Sequence, residues 1–208
     1  MFGLGKHGPD GRYAAIVDIG SGSVGVAIVV SDPLEKNPSI IWSHREWTTI
    51  KNIEQINDAA KDITTATMNA FLILANNGTR ALREYDPKAK LGDIMVGIAA
   101  PWSYTITKTV TTQDEEEFVI TKILISELIE TAQSEALAVV DADDFMPKMG
   151  LEVISDATIG ISANGYQMKN PINQKVKSTS ITQLTGVTEQ RLLDTVRDAK
   201  DKVFKEIS

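Results

Sequence analysis

Three β-rich segments near the start of the chain are joined by connections too short to hold a helix. Residues 13–20 and 24–31 are rich in Val, Ile and Ala, and residues 39–49 are "SIIWSHREWTT". Parallel neighbours need a crossover of about a dozen residues or more, whereas antiparallel neighbours can be joined by a tight turn. The sequence therefore predicts an antiparallel meander. Trp42 and Trp47 lie on opposite faces of its third strand, so we expect one in the core and one exposed.

The hydrophobic period lengthens to three and four residues after this meander. Apolar residues at helical steps are Ile53, Ile56, Ala60, Ile63, Ala70, Phe71 and Leu74. They predict a long amphipathic helix that ends near "NNG" (76–78), where Gly78 suits a C-terminal cap. A shorter helical piece is expected from Thr79 to Tyr85.

The second half of the chain alternates between strand and helix patterns. We expect strands over 93–101, 104–112, 153–162 and 175–185, a helix at about 122–138 and a last helix from Thr188. Thr121 is the predicted N-cap of the middle helix. Asn164-Gly165 predicts a tight hairpin turn, and the charged run "QDEEE" (113–117) is interpreted as a solvated loop tip. The order of elements predicts an α/β fold.

Charge and composition narrow the function classes. The 208 residues carry a net charge of −7 and no cysteine. The charge disfavours nucleic acid and anionic membranes as direct partners, and the lack of Cys excludes disulfides and thiolate metal sites. No apolar run approaches the roughly 20 residues that span a bilayer, and the N-terminus lacks a secretory signal. We expect a soluble, cytoplasmic protein.

A carboxylate and a Gly/Ser turn separate the first two strands. Asp18 ends the first apolar run, and Gly20, Ser21, Gly22 and Ser23 follow it. Glycines let an anion approach the backbone, successive N–H groups and hydroxyls can bind it, and Asp can hold an accompanying cation through water. No Walker-type loop and no dinucleotide-binding glycine motif follows the first strand. Two interpretations stay open on these residues alone: a plain β-hairpin or a phosphate-binding hairpin.

The stretch "VDIGSGSVGVAIV" resembles the first phosphate loop of the actin-like ATPases, the group that includes actin, sugar kinases and Hsp70 chaperones. Three later stretches are similar to the small inserted subdomain of the bacterial FtsA and PilM proteins. They are "VGIAAPWSYTITKTV", "FVITKILISELIETAQSEAL" and "DATIGISANGYQMKNPINQKVKSTSITQLTGVTEQRLL". The resemblance covers about residues 13–205.

The resemblance implies an actin-like (ribonuclease H-like) first subdomain with an inserted small α+β (SHS2-like) subdomain. Residues 1–12 would be a flexible tail and 13–89 the first part of subdomain 1A. Residues 90–185 would be the inserted subdomain 1C, and 186–208 would be a helix that returns to subdomain 1A. The chain would be the N-terminal fragment of a longer protein or, as the alternative, a naturally reduced member of the family.

The resemblance also implies a site for ATP and Mg²⁺. Asp18 would be the carboxylate beside the metal, acting through water, and Gly20, Ser21, Gly22 and Ser23 would line the phosphates, with Val24 anchoring the next strand. Family loops usually carry a Lys just after this turn. Gly25 stands at the nearest position here and no Lys follows until residue 36, so the sequence predicts that a phosphate-facing cation is missing.

The implied role is a scaffold in type IV pilus assembly or cell division at the cytoplasmic face of the membrane. Protein partners would bind through the inserted subdomain, with self-association into filaments as a further possibility and with only indirect membrane contact. No catalytic residue is expected, and this chain alone should bind nucleotide weakly and not hydrolyse it. The alternatives are a sugar- or acetate-kinase-like phosphotransferase of the same superfamily and a stand-alone protein-interaction module.

Overall fold

The computed structural model describes residues 2–3, 13–31, 37–48, 56–141 and 150–204. In chain order the elements are β1 (Phe2–Gly3), β2 (Tyr13–Ile19), β3 (Ser23–Val30), β4 (Ser39–Trp47), α1 (Ile56–Ile73), a π-helical turn (Leu74–Gly78), α2 (Thr79–Tyr85), β5 (Asp93–Ile98), β6 (Ser103–Val119), α3 (Lys122–Asp141), β7 (Leu151–Ala163), β8 (Tyr166–Gln167), β9 (Lys175–Glu189) and α4 (Gln190–Val203). The chain is an α/β protein that divides into two compact units. The first unit is Met1–Ser103 with Gln190–Ser208, and the second is Tyr104–Glu189.

The first unit is built on a five-stranded sheet with the order β1-β5-β2-β3-β4. β2, β3 and β4 pair antiparallel in sequence order, so the predicted meander is confirmed. β5 pairs parallel with β2, as the long connection through α1 and α2 permits, and β1 pairs antiparallel with β5.

The described helices of the first unit pack on one face of this sheet. Alternate residues of the central strands are buried there: Tyr13, Ala15, Val17 and Ile19 of β2, and Val24, Val26, Ile28 and Val30 of β3. The helices contribute Ile63, Phe71 and Leu74 from the α1 segment and Leu192, Val196 and Ala199 from α4 to the same core. Strand alternation therefore directs the other residues of β2 and β3, including Asp18, to the opposite face.

The expected helix end at Gly78 is wrong. Gly78 has φ −64° and ψ −47°, which is ordinary helical geometry, and the chain continues directly from the π-helical turn into α2. Packing favours glycine there, because a Cβ at Gly78 would lie 3.0 Å from Leu74 Cδ1 and 3.1 Å from two ring atoms of Trp42. Trp42 packs against the core while Trp47 is 72% exposed, as the strand pattern predicts.

Two expected segment limits differ from the structure. Phe2 and Gly3 pair with β5, so the flexible tail predicted for 1–12 is wrong for these two residues, while 1 and 4–12 lie outside the described residues. Residues 93–98, expected in the inserted segment, form β5 of the first sheet instead. Ile94 and Val96 are buried in the core of the first unit, which gives this strand its place beside β2.

The second unit is a four-stranded sheet, β6-β9-β7-β8, with α3 packed on β9. Leu128, Ala132 and Ala136 form the buried stripe of α3 at four-residue spacing. The predicted N-cap is confirmed, since Leu124 N–H donates to Thr121 Oγ1 at 3.1 Å. The turn after β7 is confirmed too, because Asn164 and Gly165 both have positive φ, 48° and 84°.

The charged run 113–117 is not a loop tip. It lies inside the 17-residue strand β6, and all five of its side chains are exposed. β6 is an edge strand of its sheet, and charges on such a strand discourage pairing with another chain. None of the described helices is both long enough and apolar enough to cross a membrane.

Candidate functional site

The residues 20–22 link β2 to β3 at the carboxyl end of β2. Gly20 N–H donates to the Ser23 carbonyl at 2.9 Å and closes the turn. A Cβ at Gly20 would lie 3.3 Å from that carbonyl oxygen, so glycine fits this close approach best. Among the described residues, the N–H groups of Ser21 and Gly22 have no hydrogen-bond partner. The turn therefore offers two successive N–H groups as donors, and groups of this kind can bind an anion.

Two neighbouring segments fix the carbonyl groups of this turn. Trp102 is buried, and its Nε1–H donates to the Gly20 carbonyl at 2.9 Å. Thr48 donates to the Gly22 carbonyl from its N–H at 3.0 Å and from its Oγ1 at 2.9 Å. The Gly20 carbonyl and the Ser21 N–H belong to the same peptide group, and in a trans peptide they point in opposite directions. The Ser21 N–H therefore points away from Trp102. The loop is thus held in one orientation by groups that the sequence did not indicate.

Asp18 lies on the sheet face opposite the core, and its side chain is 60% exposed. Its partners in register are Gly25 on β3 and Gly97 on β5, so no neighbouring side chain on those strands covers it. Mg²⁺ in phosphate sites commonly takes one or two protein carboxylates and completes its shell with water and substrate oxygens. A single accessible carboxylate beside an anion-binding turn fits that use. Within the described ranges no cluster of three or more His, Asp or Glu could hold a metal ion.

A cation lies beside this turn, at a position other than the one where a Lys is expected. Arg45 of β4 donates from Nη1 to Ser23 Oγ at 2.8 Å, and its Nη2 lies 3.7 Å from Asp18 Oδ2. The expected position for a cation is that of a Lys close behind the turn. The guanidinium comes instead from Arg45 of β4, which is 22 residues after Ser23. One signal in the sequence could have indicated this cation. Arg45 pairs in register with Gly25, and glycine has no side chain that would block the path of the guanidinium.

The five predicted binding residues come together in this hairpin, but their environments differ. Asp18 and Ser21 are exposed, and Gly20 and Gly22 are half-buried. Ser23 is 7% exposed and its hydroxyl accepts from Arg45, so this hydroxyl faces the guanidinium more than the solvent. Val24 is fully buried and anchors β3 in the core, as expected.

The arrangement brings together a turn with two successive N–H groups, an accessible carboxylate and, from β4, the guanidinium of Arg45. Its chemistry suits a ligand that carries both negative oxygens and a cation, such as a metal-bound polyphosphate. No protein-family model matches this chain, and no match was found among curated proteins.

Proposed function

We propose that this chain is the phosphate-binding lobe of an actin-like protein of the FtsA/PilM kind, which binds ATP with Mg²⁺ to control protein assembly. The observation that carries the proposal is the hairpin itself. The carboxylate of Asp18, the Ser21 hydroxyl, and the N–H groups of Ser21 and Gly22, which have no partner among the described residues, lie within residues 18–22. These groups match the two parts of the ligand, since N–H and O–H donate to phosphate oxygens and the carboxylate faces the cation.

The strand order supports a ligand at this end of the sheet. β2 and β5 are parallel neighbours, and the Ala99 N–H after β5 donates to the Ile19 carbonyl at 2.9 Å. Open α/β sheets bind their ligands beyond the carboxyl ends of such strands. The hairpin and the segment that follows β5 both begin at the carboxyl ends of these strands, and there Trp102 contacts Gly20.

The assembly role rests on the second unit and on the resemblance. Ile123, Ile159 and Tyr166 of this unit are 71%, 57% and 78% exposed, so their apolar surface is available for contact with a partner. The resemblance adds the setting, a scaffold in type IV pilus assembly or cell division at the cytoplasmic face of the membrane. The net charge of −7 argues against nucleic acid as the partner.

The test is a titration of the ¹⁵N-labelled chain with ATP and MgCl₂, followed by NMR. Trp102 is the reporter because its indole N–H bonds directly to the turn. We expect millimolar binding that shifts this resonance, a weaker effect with ADP and none with adenosine. Asp18→Ala should abolish the Mg²⁺-dependent part of the shift.

The matched control for Asp18→Ala is Asp194→Ala, which removes the same charge from an exposed position of α4 in the same unit. It should bind like the wild type. A wild-type chain whose Trp102 resonance does not respond to ATP with Mg²⁺ would refute the proposal, as would equal binding by Asp18→Ala.

A further inference from the structure

Four residues form one row across the sheet, from β5 through β2 and β3 to β4. The register places Gly97 beside Asp18, Asp18 beside Gly25 and Gly25 beside Arg45. Residues in register on neighbouring strands share a face, so all four lie on the face opposite the core. The carboxylate thus has a glycine on each side, and the next residue beyond one of those glycines is an arginine.

The Arg45 side chain reaches the hairpin by passing over Gly25. A Cβ at Gly25 would lie 3.1 Å from Arg45 Nη2 and 3.4 Å from its Cζ. Contacts this short require the guanidinium to shift by a few tenths of an ångström, because the methyl group is fixed to a buried strand. Gly97 differs, since a Cβ there would meet nothing closer than the Val17 carbonyl oxygen at 4.0 Å. The observed path of Arg45 therefore favours glycine at position 25 and sets no such demand at position 97.

The contacts of Arg45 leave it able to take a further ligand. It donates to Ser23 Oγ at 2.8 Å, lies 3.7 Å from Asp18 Oδ2 and stacks 6.0 Å from the centre of the Trp47 ring. A guanidinium has five N–H donors, and this side chain is 47% exposed. Ion pairs between exposed side chains contribute little to stability, so Arg45 can leave Asp18 readily while Ser23 still holds it in place.

We propose that Arg45 is the cation that faces the phosphates at this hairpin, and that its pairing with Asp18 is the ligand-free arrangement. This inference rests on the proposed function. Asp18 pairs with the guanidinium when the site is free. When ATP is bound with Mg²⁺, the Asp18 carboxylate faces the metal and Arg45 turns its free N–H groups to the phosphate oxygens, which bind guanidinium well in a forked geometry.

The first test compares Arg45→Gln with the wild type in NMR titrations with ATP plus Mg²⁺ and with tripolyphosphate alone. Loss of a charged hydrogen bond to phosphate should weaken binding of both probes roughly 10- to 100-fold. Arg45→Lys should fall between the two, because it keeps the charge and loses the fork. Arg80→Gln, which removes the same charge from an exposed site on α2, is the control and should bind like the wild type.

The second test leaves Arg45 intact and changes only its path. Gly25→Ala should weaken binding in the same direction as Arg45→Gln, because the added methyl displaces the guanidinium. Gly97→Ala adds the same methyl on the other side of Asp18, away from Arg45, and should weaken binding less than Gly25→Ala. Equal effects of the two alanines would overturn the assignment.

A third measurement separates a ligand role from a merely structural one. Asp18→Asn removes the competing carboxylate, so tripolyphosphate without Mg²⁺ should bind more tightly than to the wild type. With Mg²⁺, the same variant should bind ATP more weakly. A substitution that only disturbed the hairpin would weaken binding under both conditions, and that result would contradict the exchange of partners proposed here.

The outcomes distinguish this inference from the proposed function. If the wild type binds ATP with Mg²⁺ and Arg45→Gln binds it equally well, the inference is overturned and the proposed function stands. If tripolyphosphate binding depends on Arg45 while ATP shows no advantage from Mg²⁺ or from Asp18, the phosphate-facing role stands and the nucleotide function fails. If the wild type binds neither probe, both are overturned.

Discussion

Gly78→Ala tests whether packing, and not backbone conformation, explains the glycine inside the long helical segment. The backbone at Gly78 is helical, so alanine is free of conformational strain and gains about 0.8–1.0 kcal/mol of helix propensity over glycine. Against this, the new methyl would lie 3.1 Å from Trp42 Cε3 and Cζ3. Overpacking of this kind typically costs about 1–3 kcal/mol. We therefore expect a net loss of about 0–2 kcal/mol in the free energy of unfolding.

The same substitution should change sign when the ring is removed. In a Trp42→Val background the methyl no longer meets an aromatic ring, while Leu74 can rotate away, so Gly78→Ala should stabilise the protein by about 1 kcal/mol. The coupling between the two positions is then about 1–3 kcal/mol, the size expected for residues in contact. Because the effect of Gly78→Ala is compared within each background, the separate loss caused by Trp42→Val cancels.

Urea unfolding followed by tryptophan fluorescence is a suitable assay, because Trp42, Trp47 and Trp102 all belong to the first unit. Trp47 and Trp102 remain as probes in the Trp42→Val background. The reasoning is refuted if Gly78→Ala raises the free energy of unfolding by the same amount in both backgrounds, since the ring would then not press on this position. An equal loss in both backgrounds would refute it too, because the glycine would then be needed for its backbone.

Two further substitutions test local features of the second unit. Thr121→Ala removes the Oγ1 acceptor of the Leu124 N–H and should destabilise α3 by about 0.5–2 kcal/mol. Amide hydrogen exchange along the helix measures this loss. The control is Thr131→Ala on the exposed surface of α3, which should not destabilise the helix. Gly165→Ala forces a side chain to a φ of 84° and should lower the unfolding free energy of this unit by about 1–2 kcal/mol, measured by circular dichroism in urea. Gly160→Ala on β7 has no positive φ and should have a smaller effect, and if the two alanines behave alike the turn does not depend on its glycine.

The sequence determined the parts of this protein that depend on neighbours along the chain. Alternating apolar residues and short connections specified the meander of β2, β3 and β4, and helical spacing specified α1, α3 and α4. The N-cap at Thr121 and the turn at Asn164-Gly165 were also predictable, since a cap or a tight turn needs only a few consecutive residues. Asp18 and the Gly/Ser turn were recognisable as a candidate site for the same reason.

Only the tertiary structure decided which distant residues complete that site. Arg45 and Trp102 reach the turn because β4 pairs with β3 in one particular register and because β5 lies beside β2. Gly78 looked like a helix cap, and Gly25 like the place of a missing lysine. Each glycine instead leaves space for a side chain of β4, which is Trp42 at Gly78 and Arg45 at Gly25. A glycine in a sequence shows only that a side chain is absent. The reason for that absence can be the backbone geometry or a neighbouring side chain. Contacts between residues far apart in the chain decide which of the two applies.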